Sequence, residues 1–189
     1  MATEANVTGG GAKAYIAALA TAPPGVAADA LTWTDWTELG YVGGETQIVF
    51  TETSEPIAPS YYWHPIGDVV FGHGVEEVIV PLLESDVDAL SNILTYSTTK
   101  TIGGIDDHMY DGGWSKAHSY TMLGLETISP LGAPYWMMWI FPKTRPLGTF
   151  TYRMFKGIRV IEVHFRVFAY TAAADSQEVF MVYEQHSAA

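Results

Sequence analysis

The sequence predicts a mainly β domain, a β-sandwich or barrel-like fold with one flanking α-helix at about residues 85–96. Three observations carry this reading. Turn signals rich in Gly and Pro interrupt runs of β-forming residues at short intervals. Residues 159–170 alternate with period two, with Ile161, Val163, Phe165, Val167 and Ala169 on one face and Glu162, His164 and Arg166 on the other. One stretch keeps helical spacing, so that Leu83, Val87, Leu90 and Leu94 share a single apolar stripe. Neither a parallel βαβ pattern nor an internal repeat is visible.

Taken in order, residues 1–12 read as a flexible arm ending in the Gly9-Gly10-Gly11 hinge. Residues 13–184 form a single β domain, and 185–189 a short tail. The domain opens with a strand over 13–19, and Pro23-Pro24-Gly25 marks 21–30 as a loop. Trp33, Trp36 and Tyr41 then lead into the Gly43-Gly44 turn. Over 45–53, Thr46, Ile48 and Phe50 fall on one side and Glu45, Gln47, Val49, Thr51 and Thr53 on the other. Residues 54–60 hold two prolines and read as a loop, with the aromatic cluster Tyr61-Tyr62-Trp63 at its far end.

A second strand region covers 68–80, where Gly72 and Gly74 leave room for a bulge. The helix follows, capped by Ser85, with Asp86 and Asp88 in its first turn where the helix dipole favours negative charge. Residues 103–113 are rich in Gly and Asp and read as a loop. Residues 135–141 are an unbroken apolar run, the pattern of a strand buried on both faces. Residues 179–183 supply a last short strand.

Composition narrows the function. The 189 residues suit one domain with a sizeable core. Charged residues are only 16% of the chain, against about 25% in ordinary soluble domains, while 48% are hydrophobic and 13% aromatic. Association with further copies would cover the surplus apolar area. The net charge of −12 is unevenly placed. Residues 1–99 hold 13 acids against the single base Lys13, and residues 100–189 hold 8 of each. One acidic and one basic region can meet head to tail. The absence of cysteine excludes disulfides and cysteine-based metal or nucleophilic chemistry. The first residues lack the basic start and apolar stretch of a secretory signal, and no apolar run reaches the ~20 residues a membrane helix needs. The chain is therefore expected to be made and used in soluble form, without a membrane.

Chemistry-bearing motifs are sparse. Asp106-Asp107-His108 with Asp111 offers carboxylate and imidazole ligands, yet its spacing matches no defined metal motif. The six histidines show no helical i, i+4 pair, and no nucleophile elbow, P-loop or dinucleotide fingerprint occurs. No cofactor and no catalytic residue is assigned, and the chain is read as a non-enzyme. A pI near 4.7 argues against specific nucleic-acid binding.

The order of parts carries a resemblance. Trp36-Thr37-Glu38-Leu39-Gly40-Tyr41 enters a glycine turn and a hairpin, and residues 78–94 run from strand into an acid-capped amphipathic helix. Phe155-Lys156-Gly157 leads into the alternating strand, followed by Ala174-Asp175-Ser176 and a last strand at Phe180. Over roughly residues 13–184 this resembles the major tail tube proteins of long-tailed, siphovirus-like bacterial viruses. The resemblance implies a structural virion protein, with hexameric rings stacked into a tube through which DNA passes without specific binding. It also implies tape measure, tail terminator and tail-tip proteins as partners, and assembly in the host cytoplasm before residence in the virion tail. The proline-rich segment near Pro23 and the short tail after Tyr183 have no placed counterpart in that family.

Within that frame an acidic lumen is expected to draw on Glu45, Gln47, Thr51, Thr53, Glu55, Asp68, Glu76 and Glu77, since a basic lining would hold DNA. Lys143, Arg145, Arg153 and Lys156, with Tyr61, Tyr62 and Trp63 as aromatic anchors, are the candidates for contacts between rings. Other virion roles, tail terminator or capsid decoration, share the same composition. From other classes, a β-barrel small-molecule binder and a metal-dependent hydrolase built on Asp106, Asp107, His108 and Asp111 are the alternatives.

Overall fold

The computed structural model describes residues 12–27, 30–43, 45–57, 67–83, 93, 98–102, 105–109, 119–129, 135–155, 158–170 and 179–185. The chain is mainly β. Its strands are β1 (Lys13–Ala17), β2 (Gly25–Ala27), β3 (Ala30–Thr32), β4 (Thr37–Val42), β5 (Gln47–Ile57), β6 (Gly67–Leu83), β7 (Thr98–Ile102), β8 (Ile105–Met109), β9 (Thr121–Ile128), β10 (Trp136–Phe155), β11 (Ile158–Val167) and β12 (Met181–Glu184).

Six of them close a barrel. The order β11-β10-β9-β1-β4-β6 is completed by pairing of β6 with β11, from Val160 opposite Leu83 to Arg166 opposite Glu77. All neighbours are antiparallel. Closure needs strands that bend and shift register, and β10 supplies both. It runs 20 residues, and its register shifts between Phe141 and Thr144 against β9 and between Pro146 and Phe150 against β11. Pro142 and Pro146 fall at these shifts, where a missing N–H costs the ladder least. Two strands hang outside the barrel: β5 along β6, and β12 along β10.

Alternation along the strands builds the core. Ala14, Ile16, Leu39, Val78, Val80, Leu82, Leu123, Phe141, Ile161, Val163 and Phe165 fill the barrel. Burial of each large apolar side chain contributes about 1.5–3 kcal/mol. A second cluster lies on the outside of β1, β9 and β10, where Tyr15, Ala17, Met122, Met138 and Ile140 are covered by Trp36, with Leu31 and Trp33 packed against them. These strands are therefore buried on both faces, as the apolar run at 135–141 predicts.

The flanking helix expected at about 85–96 lies outside the described residues except for Ile93, which is helical and sits in the barrel core at 1% exposure. Several other expectations need correction. The expected loop at 21–30 contains β2, paired to β3. The expected loop at 54–60 begins as strand, because β5 continues to Ile57 opposite Gly67. The Gly- and Asp-rich loop at 103–113 contains β8, which places Asp106, Asp107 and His108 in a ladder with β7. Phe50 does not join Ile48 in the core. A bulge between Val49 and Phe50 breaks the alternation, and Phe50 is 60% exposed, edge-on to Phe180 at 5.9 Å. No helix among the described residues is long and apolar enough to cross a membrane.

Candidate functional site

The surface that carries the candidate residues is the outer face of a four-strand path, β5–β6–β11–β10. Register places Val49, Glu77, Arg166 and Arg145 in one row across all four strands. Gln47, Ile79 and His164 form the neighbouring row on the same face. Residues directly opposite in antiparallel strands point to the same side, and the inward-facing partners here are the core residues Val78, Val80, Val163 and Phe165.

Polar and charged groups on this face are paired. His164 Nδ1 and Glu77 Oε1 lie 2.5 Å apart, and His164 Nε2 is 3.5 Å from Glu162 Oε1. Arg166 reaches Glu76 at 3.7 Å and Arg153 reaches Glu162 at 3.8 Å. The Thr51 hydroxyl donates to Glu76 at 2.9 Å. Exposed pairs of this kind are worth at most about 1 kcal/mol each. Their effect is to leave no unspent cation among the described side chains of β5, β6 and β11.

The structure sorts the expected lumen residues as follows. Glu45, just ahead of β5, and Gln47 and Thr51 within it are exposed, Glu76 on β6 is exposed, and Glu77 is half-buried. Thr53 and Glu55 lie on β5 opposite Gly72 and Val69, and Asp68 lies on β6 opposite Pro56; the side chains of these three lie outside the described set. Of the residues expected between rings, Arg153 is on the same outer face and pairs with Glu162. The expected acidic and basic sets are thus interleaved on one sheet. Lys156, Tyr61, Tyr62 and Trp63 lie outside the described residues.

Lys143 and Arg145 belong to a separate cluster at the margin of this face. Lys143 Nζ stands 4.7 Å from the centre of the Tyr120 ring, and Arg145 Cζ lies 5.8 Å from Tyr120 and 5.7 Å from Phe168. The two rings meet edge to face at 5.2 Å. The Phe168 N–H donates to the Lys143 carbonyl at 2.9 Å, which fixes the end of β11 against β10. Neither cation has a carboxylate within 4.0 Å among the described residues. Cation–π contacts of this kind are worth about 0.5–1 kcal/mol at an exposed site. Tyr120 and Phe168 carry no sequence signal for this role, which register alone creates.

Two long edges complete the picture. Among the described strands, β5 pairs only with β6, so its other edge is open over 11 residues. Among the described strands, residues 145–155 of β10 pair only with β11, because β9 pairing stops at Thr144 and β12 pairing at Ile140. The open edge of β5 also carries exposed apolar side chains, Val49 at 38% and Phe50 at 60%. Soluble proteins ordinarily protect such edges with charge, proline or a covering element. No protein-family model matches the chain, and no curated protein matches it.

Proposed function

We propose that the chain is a structural protein that assembles with copies of itself into stacked rings, the tube of a long-tailed bacterial virus tail. The observation that carries this reading is the four-strand path β5–β6–β11–β10, which ends on two long edges that have no partner among the described strands. Unsatisfied N–H and C=O groups along an edge are a template for another strand. Pairing the β5 edge of one copy with the distal β10 edge of the next satisfies both, and repetition around a symmetry axis closes a ring of six.

The polar outer face of β5, β6 and β11 then turns toward the bore. Glu76, Glu77 and Glu162 hold Arg166, His164 and Arg153, and Arg145 in the same row is held against Tyr120 and Phe168, so the described cations of this face are each engaged within the subunit when a phosphate passes. Low overall charge suits a subunit that buries much of its surface between copies. Tape measure, terminator and tip proteins are the expected partners of such a tube.

Negative-stain microscopy of the purified chain at rising concentration tests the reading. Rings or hollow filaments are the expected result. Small particles of constant size at every concentration would remove it.

A further inference from the structure

We propose that charge decides which open edges pair: the acidic β5–β6 hairpin of one copy takes the basic β10–β11 hairpin of a second copy, and like edges repel. This rests on the assembly reading above and supplies its specificity, the reason copies close a ring and do not stop at two-fold pairs.

Along the path β5–β6–β11–β10 the charges divide by hairpin. Strands β5 and β6 hold Glu52, Glu55, Asp68, Glu76 and Glu77 and no lysine or arginine. Residues 145–155 of β10 and the whole of β11 hold Arg145, Arg153, Arg159 and Arg166 against the single acid Glu162. Local contacts leave this imbalance in place. Arg153 keeps a side chain 68% exposed beside Glu162, and Arg145 rests against the rings of Tyr120 and Phe168 with no carboxylate within 4.0 Å among the described residues.

The contact required between copies already exists once within each copy. Where β6 meets β11 the acidic hairpin lies against the basic one in an antiparallel ladder, crossed by Glu77 with His164 and Glu76 with Arg166. Three antiparallel steps separate β5 from β10, so the two end strands run in opposite directions. A second copy set beside the first by rotation therefore brings its β5 antiparallel to β10, and the acid–base boundary at β6–β11 recurs at β10–β5. The row through Val49, Glu77, Arg166 and Arg145 shows the stagger this needs, because β5 continues from Val49 toward one end of the sheet and β10 from Arg145 toward the other. Neighbouring copies must slide along their strands to pair. Closing a tilted barrel demands a stagger of this kind.

Self-pairing is the competing outcome. An edge strand turned by a two-fold axis meets its own copy antiparallel, and the exposed Val49 and Phe50 make the β5 edge adhesive. Such an isologous pair uses up the edge and ends growth, whereas a heterologous contact repeats until the ring closes. Two β5 edges bring two acidic hairpins together, and two β10 edges bring two basic ones. Like charges across a ladder are destabilising and suppress the wrong partner.

Charge reversal in the full-length chain tests this. Glu52→Lys with Glu55→Lys makes both edge strands basic, and Arg145→Glu with Arg153→Glu makes both acidic. Each double variant should raise the concentration needed for sedimentable rings by about tenfold or more. Mixing the two should restore rings in which the variants alternate in equal amounts, because every seam then joins opposite charges. All four substitutions in one chain should also restore assembly, its edges having exchanged sign. Circular dichroism confirms that each variant is folded. The milder pair Glu52→Gln with Glu55→Gln keeps side-chain size and removes the self-repulsion of β5, so two-fold pairs should gain on rings by about tenfold in sedimentation. Should a reversal unfold the chain, this pair alone decides.

Wild-type rings from the folded Gln pair or from either folded reversal alone, or no rings on mixing the folded reversals, overturns selection by charge while leaving ring closure through strand edges intact. A wild-type chain that stays monomeric at every concentration overturns both this inference and the assembly reading.

Discussion

Tyr15 and Trp33 stack face to face, their ring centres 4.1 Å apart and their planes 9° from parallel, and both donate to one carboxylate oxygen of Glu126. The Tyr15 hydroxyl lies at 3.2 Å and the Trp33 indole N–H at 2.6 Å. Trp36 closes the group edge-on to Trp33 at 5.1 Å and donates to the Ala22 carbonyl. One carboxylate on β9 thus ties the segment ahead of β4 onto the outside of the barrel.

This arrangement predicts an alkaline limit to stability. Burial, and then the negative charges of Glu126 and Glu38, raise the Tyr15 hydroxyl well above its ordinary 10.0. The folded state therefore keeps a proton that the unfolded chain loses. The associated stability is complete below pH 10.0 and declines as pH rises beyond it. Tyr15→Phe should flatten that decline in urea unfolding followed against pH, while costing about 1 kcal/mol near neutrality through the lost hydrogen bond. An alkaline limb as steep as that of the wild type would remove the assignment.

Gly124 is where that aromatic group meets the barrel. A Cβ built there would lie 2.4 Å from Trp33 Cζ3 and 3.1 Å from Trp36 Cζ3. Trp33 is held by its stack and its hydrogen bond, so it cannot turn aside freely. Gly124→Ala should cost about 1–3 kcal/mol, as overpacking does. Tryptophan fluorescence should shift in the folded state as Trp33 leaves Tyr15. An unshifted spectrum with wild-type stability would show that the site gives way easily.

How much of this was legible depended on whether a residue's partner lay nearby. The strand β11 could be read directly, because its two faces differ in polarity and its alternation is unbroken from Ile161 to Val167. The apolar run inside β10 was equally plain, since both of its faces meet apolar clusters. The distal half of β10 and all of β9 were not read. Pro142, Pro146 and Gly148 look like strand breakers, and only the paired register shows that bulges absorb them. The charge pairs were hidden for a different reason. His164 and Glu77 are 87 positions apart, and Tyr120 is brought to Lys143 and Arg145 by the β9–β10 ladder. Composition located the basic segment, but topology decided which of its charges were already spent.

Phe165 offers a direct test of the barrel core. It is fully buried on β11, opposite Val78 on β6 and Pro146 on β10, so truncation leaves a cavity at the seam where the barrel closes. Phe165→Ala should destabilise the subunit by about 3–5 kcal/mol. Arg166→Ala, next to it but exposed and paired with Glu76, should change stability by no more than about 1 kcal/mol. Chemical denaturation of the two variants side by side checks the contrast, and equal losses would mean that β11 does not face the core as described.

The open edge of β5 makes a prediction about assembly alone. Val49 is 38% exposed, and its neighbour across the ladder is Glu77 on β6. A lysine at position 49 would stand opposite that carboxylate, so the isolated subunit should keep its stability to within about 0.5 kcal/mol. The same lysine charges an edge that must pair with another strand, and edge lysines are a natural means of preventing that pairing. Val49→Lys should therefore leave thermal unfolding of the subunit nearly unchanged while shifting sedimentation toward the monomer. Raising salt should not recover assembly, because the lysine must be desolvated to let a second strand approach, and screening does not supply that energy. If Val49→Lys assembles at the wild-type concentration, the β5 edge is not a seam between copies, and the ring would have to close through another surface.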